Sequence, residues 1–318
     1  MANSGLQTTA DYEFLGIIDK PKTGVTYKVR NRTSGALEVL RTLPGASAND
    51  PESRDRFLRE IRIHTRLAHP NIAAFHDAFD LDGQLVMTAE YLEGSTLAQL
   101  CAHGPLPFPE AARVVSEVLS GLEEAHALGI IHRGITSAHV HITPSGAVKL
   151  GGFGLAKPAD DVHLTQTGTV LGDPRYISPE QVMGVHPLDA RADLYSVSIV
   201  LYQALTGKVP FDGANDFDIM VEQVRGVPRP PREINPLVPA ELDRLVLIML
   251  AKHPDARIPS ARSLRNALLG LVPVPEPVPI SPPALPPAPG IHFFHPTVIF
   301  GTISLTIILT VLLYVAFH

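Results

Sequence analysis

A chain of 318 residues with 45% hydrophobic content is long enough for one large domain with a full core, or for two modest ones. A net charge of −6 leaves no basic footprint, so no nucleic-acid partner is expected. The single cysteine, Cys101, excludes an internal disulfide framework and, at the end of a predicted helix, reads as apolar filler instead of a reactive thiol.

Residues 1–5 are polar and lack a basic stretch followed by an apolar run, so no secretory signal is expected. Residues 12–50 alternate and break often, in pieces such as Val25-Thr26-Tyr27-Lys28-Val29 and Leu37-Glu38-Val39-Leu40, as antiparallel strands do. Residues 51–68 carry Phe57, Ile61, His64 and Ala68 at helical spacing, with Pro70 as the stop. Residues 84–91 read as a strand. From Pro109 the helical period takes over: Ala112, Val115, Leu119, Leu122 and His126 share one face, and Gly129 closes the helix. Further helices fit 190–206 and 239–250. A strand-rich front and a helical back predict an α+β, two-lobed architecture.

Residues 271–290 hold nine prolines in twenty positions, which excludes helix and sheet and predicts a stiff extended spacer reaching up to about 60 Å. Residues 297–317 carry no charge and as a helix would span about 30 Å, the thickness of a bilayer's hydrocarbon core. The predicted order is a soluble domain, a spacer and one membrane helix. Thr302, Thr306, Thr310 and Tyr314 recur every four residues along that helix, a stripe on which two copies could pair.

Several short motifs then fall in order. Gly24-Val25-Thr26-Tyr27-Lys28-Val29-Arg30 is followed by Arg59-Glu60-Ile61, His69-Pro70-Asn71-Ile72 and Glu90-Tyr91-Leu92-Glu93-Gly94. After them come His132-Arg133-Gly134, Gly152-Phe153-Gly154, Ser178-Pro179-Glu180-Gln181, Asp193-Leu194-Tyr195-Ser196, Leu205-Thr206-Gly207-Lys208-Val209-Pro210-Phe211, and Arg257. In this order and spacing the chain resembles bacterial-type serine/threonine protein kinases over residues 12–270. The resemblance implies a bilobal fold, with an N-lobe over about 12–90 and a C-lobe over about 95–270. It also implies structural roles for Arg133, Asp193 and the pair Glu180 with Arg257.

The positions that carry the family's chemistry depart from the pattern. The six glycine-rich-loop positions read Asp19-Lys20-Pro21-Lys22-Thr23-Gly24, keeping only the last glycine. Arg41 replaces the strand lysine, and either pairs with Glu60 as a clamp or points to solvent. Gly134 stands where the family has the catalytic Asp, and Thr136 where it has a lysine. His139 replaces the asparagine that holds one magnesium, and Gly152 the carboxylate that holds the other. Asp173 stands in place of a threonine that bonds the catalytic Asp and Lys. Three histidines, His132, His139 and His141, raise a new metal site, His139 and His141 sharing a face if they lie on one strand; histidines lining a former cleft are the alternative.

These departures predict a pseudokinase: no catalytic residues, no metal and no required cofactor. A cleft outlined by Gly24, Arg41, Glu60, Ala89, Glu90 and Leu92 leaves room for ATP without magnesium. Thr165, Thr167 and Thr169 are candidate phosphoacceptors for a partner kinase, with Arg133 as their docking cation. The expected partners are an active kinase or a client protein, with the domain cytoplasmic on a single-pass membrane anchor at 297–317. The competing expectation is a kinase with relocated chemistry, for which Asp160, Asp161 and Asp173 are the nearest acids in sequence.

Overall fold

The computed structural model describes residues 11–19, 24–43, 50–81, 84–158 and 172–272. Most of the glycine-rich-loop positions (20–23), Asp160, Asp161, the three threonines Thr165, Thr167 and Thr169, nearly all of the spacer and the stretch 297–317 lie outside them. Among the described residues no helix is long and apolar enough to cross a membrane. Met1–Pro273 constitutes one compact unit.

The front of that unit is an antiparallel sheet of β1 (Tyr12–Asp19), β2 (Val25–Asn31), β3 (Leu37–Thr42), β4 (Phe75–Leu81) and β5 (Gln84–Glu90), in the order β1-β2-β3-β5-β4. Val29 and Leu40 point into one cluster with Tyr12 and Val86, and Met87 into a second one under helix α1 (Pro51–His64), as the two-residue period of the strands requires. Asp50 caps α1 by accepting from the Ser53 amide, and Pro51 occupies the first helical turn, where a missing N–H costs nothing.

Helix α1 ends at His64, a turn short of the predicted 51–68. The Thr65 hydroxyl donates back to the Arg62 carbonyl, and the amides of Arg66 and Leu67 bond three residues back. The chain tightens there, and the apolar period continues by turning Leu67 inward, buried in the C-lobe core.

The C-lobe opens with β6 (Ser95–Thr96), α2 (Leu97–Ala102), α3 (Phe108–Ala127) and β7 (Ile130–Ile131), then β8 (Val140–Ile142), β9 (Val148–Leu150) and β10 (Lys157–Pro158). It continues through α4 (Pro179–Val182), α5 (Ala190–Thr206), α6 (Asp216–Arg225), α7 (Pro231–Ile234), α8 (Ala240–Met249) and α9 (Ala261–Leu269). Helix α5 is the axis of this lobe, with 14 of its 17 residues buried on every side. Asp189 caps its start, and Gly207, at φ 74°, ends it where only glycine is unstrained. Cys101 is buried at the end of α2, and burial pushes its thiol up to about 11, which removes it as a nucleophile at neutral pH.

Arg257 and Glu180 meet inside this lobe through two parallel bonds of 2.7 and 2.8 Å. The same guanidinium also donates to the carbonyls of Arg191, Ala251 and Lys252, so its donors are saturated while it is wholly buried. Replacing Arg257 by Ala strands the Glu180 carboxylate, and urea unfolding of residues 1–273 should lose about 3–5 kcal/mol. A loss within 0.5 kcal/mol, the range of an ordinary surface change, would mean the pair is dispensable.

Candidate functional site

The site is built outward from Asp193, one turn into α5 and fully buried. Its Oδ1 accepts from the Arg133 amide at 2.8 Å, and its Oδ2 from the His132 amide at 2.9 Å and from His126 Nε2 at 2.8 Å. Burial alone would raise this carboxyl, but the His126 bond and charge, with His132 behind them, hold it below the usual carboxylate range. The two amides that it grips belong to a turn in which Arg133 sits at φ 62°, the only left-handed non-glycine among the described residues. That conformation is unfavourable for an L-residue and persists because the surroundings fix it.

The turn delivers His132 into the core. His132 Nε2 donates to the Gly151 carbonyl at 2.9 Å, while its Nδ1 receives the Gly134 amide at 3.3 Å, an arrangement that suits the neutral ring. Its centroid lies 4.4 Å from Phe153; Phe153 is 5.7 Å from His64, and His64 is 6.2 Å from Phe75. Four rings thus run from the C-lobe turn through the 151–155 segment and α1 to β4. Burial pushes both His64 and His132 down to about 4.

Arg41 on β3 pairs with Glu60 on α1, which resolves the two sequence readings in favour of the clamp. Burial raises the Glu60 carboxyl and the Arg41 charge works against that rise. The pair rests on the backbone of Gly154, where a Cβ would lie 3.2 Å from Glu60 Oε1 and 3.4 Å from Arg41 Nη1.

At the positions of altered chemistry, three residues converge. His139 Nδ1 donates to the Gly134 carbonyl at 2.7 Å, and the Gly151 amide donates to the His139 carbonyl at 2.9 Å. Gly152 stands at φ 81°, and a Cβ there would lie 2.6 Å from the imidazole carbons of His139. The ring of His139 therefore occupies the volume in which a side chain at 152 would begin. A Cβ at Gly134 would in turn lie 3.0 Å from Leu155. Thr136 is buried beside them. Asp173 accepts from the amide and Nε of Arg175 at 3.0 and 2.9 Å, so its carboxylate is turned onto its own neighbour. Between residues 133–136 and 172–177 a cavity of about 10 Å³ remains, room for a single water.

The three-histidine metal site is not assembled. His139 ends a single 3₁₀ turn (Ser137–His139) and only His141 lies on a strand, so the two do not share a strand face. Among the described residues no group of three or more His, Cys, Asp or Glu is placed to hold a metal ion. Of the remaining cleft positions, Ala89 pairs with Val39 across β5 and β3, and Leu92 is half-buried. The Glu90 side chain accepts from Lys149 Nζ at 2.7 Å and the Ala74 amide at 3.1 Å, bracing β5 against β9. At Gly24 a Cβ would meet the Thr42 carbonyl at 2.6 Å, so this glycine is required by β2–β3 packing whatever the loop binds. Sequence reading missed His126, which helical periodicity assigns to a core face, and Lys28, whose ammonium sits 4.0 Å above the Tyr91 ring.

A five-stranded sheet lobe with one helix, followed by a helical lobe whose 132–134 turn is gripped by a buried aspartate, is the architecture of a protein kinase. The protein kinase domain model matches residues 12–268. The chain is 35% identical over 263 residues to the serine/threonine-protein kinase PknB of Mycobacterium leprae, a match covering 81% of this chain and 42% of that protein. It is also 35% identical over 261 residues to the probable serine/threonine-protein kinase SCO3848 of Streptomyces coelicolor, covering 80% and 39%. The chain thus spans about two fifths of the length of these curated relatives. The crystal structure of the Mycobacterium tuberculosis PknI kinase domain superposes with a TM-score of 0.65 at 27% identity, over 83% of this chain and 97% of that one. This chain belongs to the bacterial-type serine/threonine protein kinase family.

Two outcomes follow from the geometry. Gly152→Asp places a Cβ inside the His139 ring on a left-handed backbone and should lower stability by about 1–3 kcal/mol. Adding His139→Asn should recover part of that loss in thermal melts; equal melting of the single and double variants would show that the ring does not fill the site.

His64 and His132 are held neutral, so the unfolded chain binds more protons than the native one between pH 6.5 and about 4. Stability is full above pH 6.5 and falls as pH drops through that window, by roughly 2–3 kcal/mol per histidine at pH 4.5. Urea midpoints at pH 7 and 4.5 measure it, and His64→Leu should remove about half of the dependence, leaving the part due to His132.

Proposed function

We propose that this chain is a pseudokinase, a kinase fold that binds and positions proteins without transferring phosphate. The observation that carries the reading is the contact of Gly134, His139 and Gly152. Phosphoryl transfer depends on an acceptor for the substrate hydroxyl's proton and on hard oxygen ligands for magnesium. Gly134 offers no acceptor side chain, Gly152 no carboxylate, and His139 an imidazole where an oxygen is needed. Magnesium does not fit this donor set.

Arg41, engaged with Glu60, holds α1 against the 151–155 segment. The fold is then a rigid docking platform for an active kinase or a client protein. Residues 297–317 would anchor it to a membrane, with the domain on the cytoplasmic side, and Thr165, Thr167 and Thr169 would be the positions that a partner kinase modifies. The enzyme reading needs a replacement carboxylate, and Asp173, the one described acid among the three nearest in sequence, is held by Arg175.

The test is thermal unfolding of residues 1–273 with ATP, with and without Mg²⁺ or Mn²⁺, followed by a radiolabelled phosphate-transfer assay. No metal-dependent stabilisation and no label on the chain or on a generic protein substrate is expected. A ligand at a hundredfold excess over its Kd stabilises by about 2.7 kcal/mol. A gain of that size requiring the metal, together with transfer, would overturn the proposal. A metal-independent gain would make the cleft a nucleotide sensor.

A further inference from the structure

Helices α3 and α9 pack on one another and leave a cavity of about 420 Å³ between them, with Asn71, from the loop after α1, in its wall. None of the cleft positions lines it. The volume falls in the range of small-molecule sites, unlike the single-water space beside residues 133–136. Pro109, Leu269 and Val272 give it aliphatic walls. Among the described residues that line it there is no aromatic ring on which a base or another flat ligand could stack.

Three of the lining side chains are charged, and each is paired within the protein. Arg113 donates to both carboxylate oxygens of Glu110 at 3.1 and 2.7 Å, to Glu117 at 2.6 Å and to the Gly146 carbonyl at 2.9 Å. Glu117 also accepts from Asn71 Nδ2 and from the Val148 amide, both at 3.1 Å. Arg265 faces Glu123 at 3.9 Å. One polar group is left over. Ser116, midway along α3, lines the cavity at 5% exposure, and its hydroxyl has no hydrogen-bond partner. A serine inside a helix commonly bonds back to the carbonyl four residues earlier, as Ser196 and Ser198 do in α5. Ser116 makes no such bond, and a buried hydroxyl left unpaired is destabilising until an oxygen reaches it.

We infer that this cavity is a binding site for a neutral aliphatic molecule carrying one hydroxyl or carbonyl oxygen, its chain against Leu269 and Val272 and its oxygen on Ser116. A charged head is selected against, because it would leave water for a cavity whose ions already have partners. A molecule seated there rests against Asn71, whose Nδ2 donates to the Val148 carbonyl at 2.9 Å and whose own carbonyl receives the Leu150 amide at 2.8 Å. The site therefore abuts β9, the strand that leads into the 151–155 segment. It lies outside the cleft and stands apart from the reading of the chemistry.

The probe is 1-octanol, with octanoate and octylamine as its anionic and cationic counterparts. Calorimetric titration uses residues 1–273, the compact unit whose fold matches a kinase domain crystallised alone. It should show one saturable site for the alcohol and binding of either ion at least ~10-fold weaker. Ser116→Ala should weaken the alcohol ~3–10-fold, the worth of one hydrogen bond, while its melting temperature stays level or rises because the lost hydroxyl was unpaired. A serine with a purely structural role would not separate those two readouts. Leu269→Trp, which fills the cavity from a side chain 44% exposed, should abolish binding and leave melting unchanged. On the full chain in lipid nanodiscs, a photoreactive octanol analogue should label α3 or α9 and lose that label in Leu269→Trp. The inference is overturned if no saturable binding is found, or if either ion binds as well as the alcohol. Wild-type affinity in Ser116→Ala or Leu269→Trp overturns it too, as does a full chain that takes no label at α3 or α9.

Discussion

The structure depends on one buried carboxylate. Asp193 is taken wholly out of water and yet stays charged, because two backbone amides and an imidazole point at it. A buried anion with such partners is costly to disturb, since removing any donor leaves charge uncompensated. The grip fixes Arg133 in its left-handed turn, which aims His132 inward and sets the base of the ring column. One of the columns that join the two lobes is registered from that point: Phe153 packs on His132, His64 on Phe153, and α1, which carries His64, also brings Glu60 to Arg41.

This ordering accounts for what the chain keeps and what it changes. Asp193, the Glu180–Arg257 pair and His132 are each buried among partners, so replacing any of them would leave a charge or a donor stranded in the core. Gly134, Gly152, Thr136 and His139 face one another at the cleft, where a lost carboxylate strands nothing. Removing like charges from a crowded cleft can even stabilise a fold, the familiar trade between activity and stability. Under the reading proposed above, the scaffold persists because its interactions are coupled, and the chemistry is lost because its charges were held only for a ligand.

Much of this was legible in the sequence, for physical reasons that also mark where legibility ended. The bounds of α5 coincide with the predicted 190–206 because an aspartate cap and a glycine stop bracket an unbroken apolar run. Glu180 and Arg257, 77 residues apart, came from motif order and proved to be paired. The predicted helix over 51–68 overruns α1 because the apolar period survives a change from α to tighter geometry. Placing His139 and His141 on one strand failed because a 3₁₀ turn ends at His139, and periodicity cannot locate a three-residue element. His126 was read as core because spacing reports which way a side chain faces and not what it meets. Its partner lies 67 residues on, and that contact exists only once α3 and α5 pack.

The altered cleft positions were read one at a time, as separate losses, and the fold binds them together. The imidazole of His139 and any side chain at 152 claim the same space, since a Cβ at 152 comes within 2.6 Å of the ring. The ring is held there by its bond to the Gly134 carbonyl, with the main chain of 139 bonded to 151. A side chain at 152 therefore has no room as long as His139 keeps its position, and moving the ring breaks its bond to the Gly134 carbonyl. The substitutions at 139 and 152 thus form one packed unit. A side chain at 152 meets a clash that a shift or a replacement of the His139 ring relieves, so a change at one position is felt at the other.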